Sequence, residues 1–313
     1  MSDKHDMTYY AKCMMGGILA CGLTHTAMTP IDLVKCRKQV AKELYPSIAG
    51  SLNKVKAEEG VKGLSLGWVP TLIGYSLQGF AKFGFYEIFK DVYGGIVGQE
   101  NAVKYKKIVW AFSSASAELI ADVFLCPFES VKVRMQTSLP PGSFPNKFGA
   151  AYSQIGKEAG NPYFKALAPL WARQVPYTVV KFVAFEYFVE KFYKHIFTKG
   201  KENYSKGTQL FVSFLSGYAA GVFCAIVSHP ADTMVSKLND GKVGRKEGEA
   251  LGGALSRIYK DIGFAGLWFG LGARIFMIGT LTGLQWWIYD SFKTAAGLQT
   301  TGGSAVKKDA VKH

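Results

Sequence analysis

The chain has 313 residues, of which 49% are hydrophobic and 14% aromatic, with a net charge of +14 and a pI near 9.4. That charge asks for an anionic partner, and with no zinc-finger spacing or basic helix the choice narrows from nucleic acid to anionic lipid or a small anion. Five cysteines (13, 21, 36, 126 and 224) are scattered with no CxxC pair, so neither a disulfide framework nor a metal site is visible, and no cofactor is expected.

In chain order, residues 1–9 mix acids and bases and resemble neither a signal peptide nor an Arg-rich transit peptide, so any organellar address is expected inside the chain. Cys13–Ile31 then runs without formal charge if His25 is neutral, as do Gly63–Ala81 and Leu210–Ser228. Each is 19 residues, about enough to cross a bilayer. Three further apolar stretches, near 105–126, 167–189 and 269–289, are interrupted by Glu118, Asp122, Arg173, Lys181 and Arg274. Charges at membrane depth are expensive and face a wet interior.

The stretches recur. Pro30, Pro127 and Pro230 open the segments Pro-Ile-Asp-Leu-Val-Lys-Cys-Arg, Pro-Phe-Glu-Ser-Val-Lys-Val-Arg and Pro-Ala-Asp-Thr-Met-Val-Ser-Lys, at a period near 100. After each comes a short amphipathic segment: Ile48, Leu52, Val55; Phe148, Tyr152, Ile155; Leu251, Leu255, Ile258. A turn follows at Gly60, Gly160 and Gly263, and a second long helix begins near Gly67, Ala166 and Gly270. Twenty residues later stand Glu87, Glu186 and Asp290, each after an aromatic, a distance of about 30 Å along a helix. Three residues further on, a base appears as Lys90 and Lys293, with Val189 in the middle repeat. Gly217 and Gly221 form a GxxxG pair suited to close helix approach.

The expected fold is an all-α membrane protein of six transmembrane helices in three pseudo-symmetric two-helix repeats, each with a short amphipathic surface helix. The repeats cover 10–98, 104–198 and 207–296, after an N-terminal tail (1–9) and before a C-terminal tail expected to be disordered (297–313). The even number of spans puts both termini on one side.

The tripled P-x-[DE]-x-x-[KR]-x-[KR] signature, recurring in register over roughly residues 10–295, resembles that of the mitochondrial carrier family. Within that family, the strings 21–26, 117–129, 173–178, 228–233 and 279–286 are similar to the phosphate-carrying members. The resemblance implies a monomeric carrier in the mitochondrial inner membrane, with both termini toward the intermembrane space. It would move inorganic phosphate with a proton, or against hydroxide, by alternating access, in contact with cardiolipin. Three positions depart from the pattern. Val235 replaces the third signature's first base, Ser65-Leu66 an aromatic–basic pair, and the second loop is one residue short.

By family analogy, the matrix gate pairs Asp32 with Lys132 and Asp232 with Lys35, leaving Glu129 without its base. The cytosolic gate comprises Glu87, Glu186 and Asp290 with only Lys90 and Lys293, so each gate is expected to hold two pairs. Between the gates, Lys82, Lys181 and Gln285 occupy one equivalent position, fifteen residues past the loop, where two cations and an amide would attract a compact oxyanion. Gln78 shares the face of Lys82. Arg173 and Gln174 lie near the family's substrate level, and Arg274 lies deeper. Arginine suits phosphate through its planar fork, lysine as a point charge. His25 and Asp122 each lie five residues before a repeat proline, with Glu118 one turn from Asp122. An imidazole and carboxylates shielded from water titrate near neutrality, which makes these three the proton-coupling groups.

Other readings remain open at this stage. Cys21 and His25 are i, i+4 near Met14, Met15 and Met28. Soft sulfur favours Cu(I), so copper import is an alternative as a second or main activity, against a plain buried thiol at Cys21. A carrier of another small anion, or a helical scaffold or receptor, also fits. No nucleophile–base pair or phosphate-cradling glycine loop is visible, so an enzyme is not expected.

Overall fold

The computed structural model describes residues 5–302 apart from 42, 159–160, 239–248 and 269, and within these every element is helical. In order they are α1 (Met7–Ala27), α2 (Thr29–Val40), α3 (Ile48–Leu64), α4 (Trp68–Val97), α5 (Gln99–Lys104), α6 (Lys106–Thr137), α7 (Phe148–Gly156), α8 (Leu167–His195), α9 (Lys206–Leu238), α10 (Leu251–Gly266) and α11 (Leu271–Ala295). A 3-10 turn (Lys201–Asn203) precedes α9.

The long helices pack in a closed ring, α1–α4–α6–α8–α9–α11 and back to α1. One rim carries the start of α1 and the end of α11 and is called the terminal end. The other carries α3, α7 and α10 and is called the loop end. The repeat prolines act differently. Before Pro30 the first helix is interrupted for one residue, α1 ending at Ala27 and α2 restarting at Thr29 with Met28 still near helical geometry (φ −85, ψ −3), whereas Pro127 and Pro230 sit inside continuous helices. Proline removes one backbone donor, and a bundle neighbour can re-satisfy the freed carbonyl without a break.

Among the described residues, the loop-end helices bury only the last of each expected apolar triplet, while Ile48 and Tyr152 are exposed. Val55, Ile155 and Ile258 are buried. Gly60 and Gly263 bend α3 and α10 at φ +71 and +64, and Gly160 lies outside the described residues. α4 and α11 begin just after Gly67 and Gly270, whose φ values of +87 and +85 suit glycine alone. In the middle repeat Ala166 holds the same place at φ −92, so the shorter second loop enters its helix by another path.

Apolarity distributes unevenly. Among the described residues, α6 and the first 26 residues of α9 alone combine span length with a strongly apolar window. The uncharged stretches 13–31 and 63–81 are diluted by Gly, Ser and Thr. Those small residues go into helix contact: a Cβ on Gly17 would sit 2.1 Å from the Gly79 carbonyl oxygen, joining α1 to α4 at backbone distance. The predicted Gly217/Gly221 pair does the same in the third repeat, against Thr282–Gly283 and Ile278–Gly279 of α11.

The chain does not end at residue 296. Residues 297–302, expected to be disordered, fold back over the terminal end, where Thr300 and Thr301 are buried. Residues 303–313 lie outside the described part.

Candidate functional site

Halfway along the bundle the symmetric positions converge. Lys82, Lys181 and Gln285 are each less than 5% exposed, facing the interior rather than lipid. Lys181 Nζ donates to Gln285 Oε1 at 3.3 Å, and the Gln285 amide nitrogen lies 3.1 Å from His25 Nε2 and 3.4 Å from Thr24 Oγ1. Lys82 Nζ lies 2.8 Å from Glu118. Gln78 donates to both Glu118 (3.0 Å) and Asp122 (3.2 Å), and both acids are fully buried. Lys82, Lys181, Gln285, Gln78, His25, Glu118 and Asp122 thus gather in one buried polar layer as two bonded sets, Lys82–Glu118–Gln78–Asp122 between α4 and α6 and Lys181–Gln285–His25–Thr24 across α8, α11 and α1. His25 also stacks on Tyr75 at 3.8 Å.

The arginines stand apart from it. Arg173 lines an open cleft of about 990 Å³ at the loop end, between α6, α8 and α9, together with Glu129, Tyr177 and Ser228. Arg274 donates to Ser228 at 3.0 Å, on the rim of the same cleft. Gln174, half-buried, does not line it. Cys21 is buried against Gly79, and among the described residues no group of three His, Cys, Asp or Glu is placed to hold a metal ion.

At the loop end, Lys132 Nζ lies 3.2 Å from Asp32 and 3.6 Å from Glu129. Glu129, expected to lack a base, is instead met by the lysine one turn along its own helix, which serves two acids at once. Lys35 Nζ lies 2.8 Å from Met277 Sδ, while its expected partner Asp232 has its side chain outside the described residues.

At the terminal end, Lys90 Nζ sits between Glu87 (3.3 Å) and Glu186 (3.4 Å). Tyr9 and Tyr86 hydroxyls donate to the same two acids. Lys293 donates to Thr301 Oγ1 rather than to an acid, and Asp290 is held by Ser213 and Thr301. In place of the expected second ion pair, Asp290 is met by hydroxyl and amide contacts and Lys293 by the tail's Thr301.

Sequence reasoning missed the layer between cluster and gate. Immediately after Lys82, Lys181 and Gln285 come Phe83, Phe182 and Trp286, which pack with Tyr86, Phe185 and Tyr289. The Phe185–Trp286 rings stack at 3.5 Å and Phe83–Tyr289 lie 4.3 Å apart. All six are buried, forming an aromatic plug. The signal was present: each even helix reads cation or amide, aromatic, two residues, aromatic, acid.

Three helix pairs around a buried polar axis, with a charged rim at each end, define a three-repeat helical membrane carrier. The family profile described as mitochondrial carrier protein matches residues 6–96, 106–196 and 206–299, and the chain belongs to that family. Similar proteins include a probable mitochondrial phosphate carrier protein of Schizosaccharomyces pombe, 54% identical over 94% of this chain and 93% of its own length. A mitochondrial phosphate carrier protein of Caenorhabditis elegans is 53% identical over 93% of this chain and 82% of its own. Solute carrier family 25 member 3 of Homo sapiens is 49% identical over 91% and 76%.

Proposed function

We propose that this chain carries inorganic phosphate together with a proton across the mitochondrial inner membrane, by alternating access. Its termini would face the intermembrane space, and it would work as a monomer. The observation that carries the reading is the buried cluster in which two lysines and a glutamine on three symmetry-related helices meet His25, Glu118 and Asp122. Lys181 and Gln285 offer donors to a tetrahedral oxyanion. Lys82 is neutralised by Glu118 and becomes available as that carboxylate takes up a proton. Anion binding and protonation are then one event: the proton removes the competitor that held the lysine. The names of the similar carriers supply the substrate.

Energetics favour the coupling. One net negative charge moved against 100 mV costs about 2.3 kcal/mol. A proton travelling with monovalent phosphate cancels that charge, and each pH unit across the membrane adds about 1.4 kcal/mol.

Liposomes loaded with a pH dye and given phosphate should acidify inside as phosphate enters, with arsenate competing. Uptake indifferent to an imposed pH gradient would remove the proton from the scheme. Uptake of carboxylates in place of phosphate would reassign the substrate. His25→Ala should retain phosphate–phosphate exchange while losing pH-driven net uptake.

A further inference from the structure

The terminal-end gate has a symmetry defect. Its acids recur as Glu87, Glu186 and Asp290, but the base three residues on is Lys90, then Val189, then Lys293. The base missing at 189 leaves Asp290, 0% exposed on α11, with no salt bridge among the described residues. A buried carboxylate without donors is strongly unfavourable.

The C-terminal segment fills this position. Thr301 gives Asp290 both its backbone N–H (2.9 Å) and its hydroxyl (2.7 Å), and Ser213 Oγ adds a third contact at 2.5 Å. Gly302 lies directly over the defect: a Cβ there would meet Val189 Cγ1 at 3.0 Å and Glu186 Oε2 at 2.8 Å. The segment is fastened from several sides. Buried Lys201 donates to the Thr300 and Gly302 carbonyls, both at 2.5 Å, Thr300 Oγ1 donates to Gln209 at 3.1 Å, and Lys293 donates to the Thr301 hydroxyl. Leu298 packs against the aromatic core.

We propose that residues 300–302 are a detachable third bolt of this gate, with Thr301 standing in for the absent base at 189. The bolt touches repeat 2 through Val189 and Glu186, and repeat 3 through Asp290, Ser213 and Gln209. Its hydrogen bonds hold it to repeat 3 and to Lys201, while Gly302 lies against Val189 and Glu186 of repeat 2. When those two repeats part at this end the bolt must release one side and reseat once per cycle, which makes it a gate element rather than a passive terminus. This deepens, and rests on, the alternating-access reading above.

The test uses Cys13, buried just beneath the gate in the Tyr289 cluster, as the sole cysteine of the otherwise complete protein. Its labelling by a polar thiol reagent is timed in detergent and in liposomes. Truncation after Leu298 should speed labelling about tenfold, the factor expected when charge-assisted hydrogen bonds leave an opening equilibrium. Truncation after Gly302 should leave it unchanged. Val189→Lys, placed in the shorter chain, should bring labelling back toward the parent rate by restoring a base to Asp290. If the shorter chain fails to fold, Thr301→Val in the full-length chain reads the same contact and should give a smaller acceleration of the same sign. Unchanged labelling after loss of 299–313, or no rescue by lysine at 189, would overturn the proposal. Failure of the parent protein to move phosphate would overturn the transport reading instead, since labelling reports the gate alone.

Discussion

The tightest commitment at the scale of single residues is the Lys82–Glu118 pair. Both partners are buried, with Glu118 fully so, and Gln78 satisfies part of the carboxylate. Removing one partner strands the other. Lys82→Met alone should cost about 3–5 kcal/mol of unfolding free energy, and Glu118→Leu a similar amount. The double variant Lys82→Met/Glu118→Leu exchanges the pair for apolar groups of similar volume and should recover most of that loss, yet all three should fail to transport phosphate. Denaturant unfolding in detergent, run beside liposome uptake, separates the two effects. A double variant no more stable than either single would show that the two side chains do not act as a pair. Lys82 was legible because it falls on an equivalent position of a repeat, and Glu118 because it is a charge inside an apolar stretch, one turn from Asp122. The sequence did not reveal their pairing: nothing in helical spacing says that Lys82 of α4 meets Glu118 of α6 rather than standing free for an anion.

Among the elements, the repeat pattern located nearly everything that geometry fixes. The helix starts at Gly67 and Gly270 and the bends at Gly60 and Gly263 were readable because positive φ demands glycine. The interruption at Met28 was not, since the equivalent prolines sit inside the continuous α6 and α9. Nor was the close approach of α1 and α4, because Gly17 and Gly79 belong to no GxxxG string and meet only in three dimensions. That contact is testable. Gly17→Ala would place a methyl 2.1 Å from a backbone oxygen that a rotamer change cannot move, so α1 and α4 must separate. About 1–3 kcal/mol of stability should be lost, with transport falling as the cluster between His25 and Gln78 widens. Gly95→Ala, in the same α4 but with nothing within 4 Å of the added methyl, should be neutral or stabilising by up to about 1 kcal/mol. Thermal unfolding of the two proteins side by side makes the comparison, and equal melting temperatures would contradict the packing argument.

For the molecule as a whole, the two ends are unequal. The terminal end is sealed by an aromatic plug, a shared lysine and the folded-back tail, and its three acids are no more than 4% exposed. The loop end has its cleft between repeats 2 and 3, and the two acids served by Lys132 keep 24% and 18% of their side-chain exposure. The same chemistry, one lysine between two carboxylates, therefore works in two different media. Lys90→Gln would leave Glu87 and Glu186 buried with tyrosine hydroxyls as their hydrogen-bond partners among the described residues, a loss of the order of 3–5 kcal/mol. Lys132→Gln would leave Asp32 and Glu129 within reach of water, which screens them, so about 1–2 kcal/mol is expected. Because each lysine bolts one end only, the two losses should also push the molecule in opposite directions. Lys90→Gln should expose Cys13, beneath the terminal end, to a polar thiol reagent. Lys132→Gln should leave Cys13 protected, because the seal above it is untouched. Equal stability losses, or equal Cys13 labelling in the two variants, would mean that the ends are not independent gates and that the asymmetry of burial has no mechanical consequence.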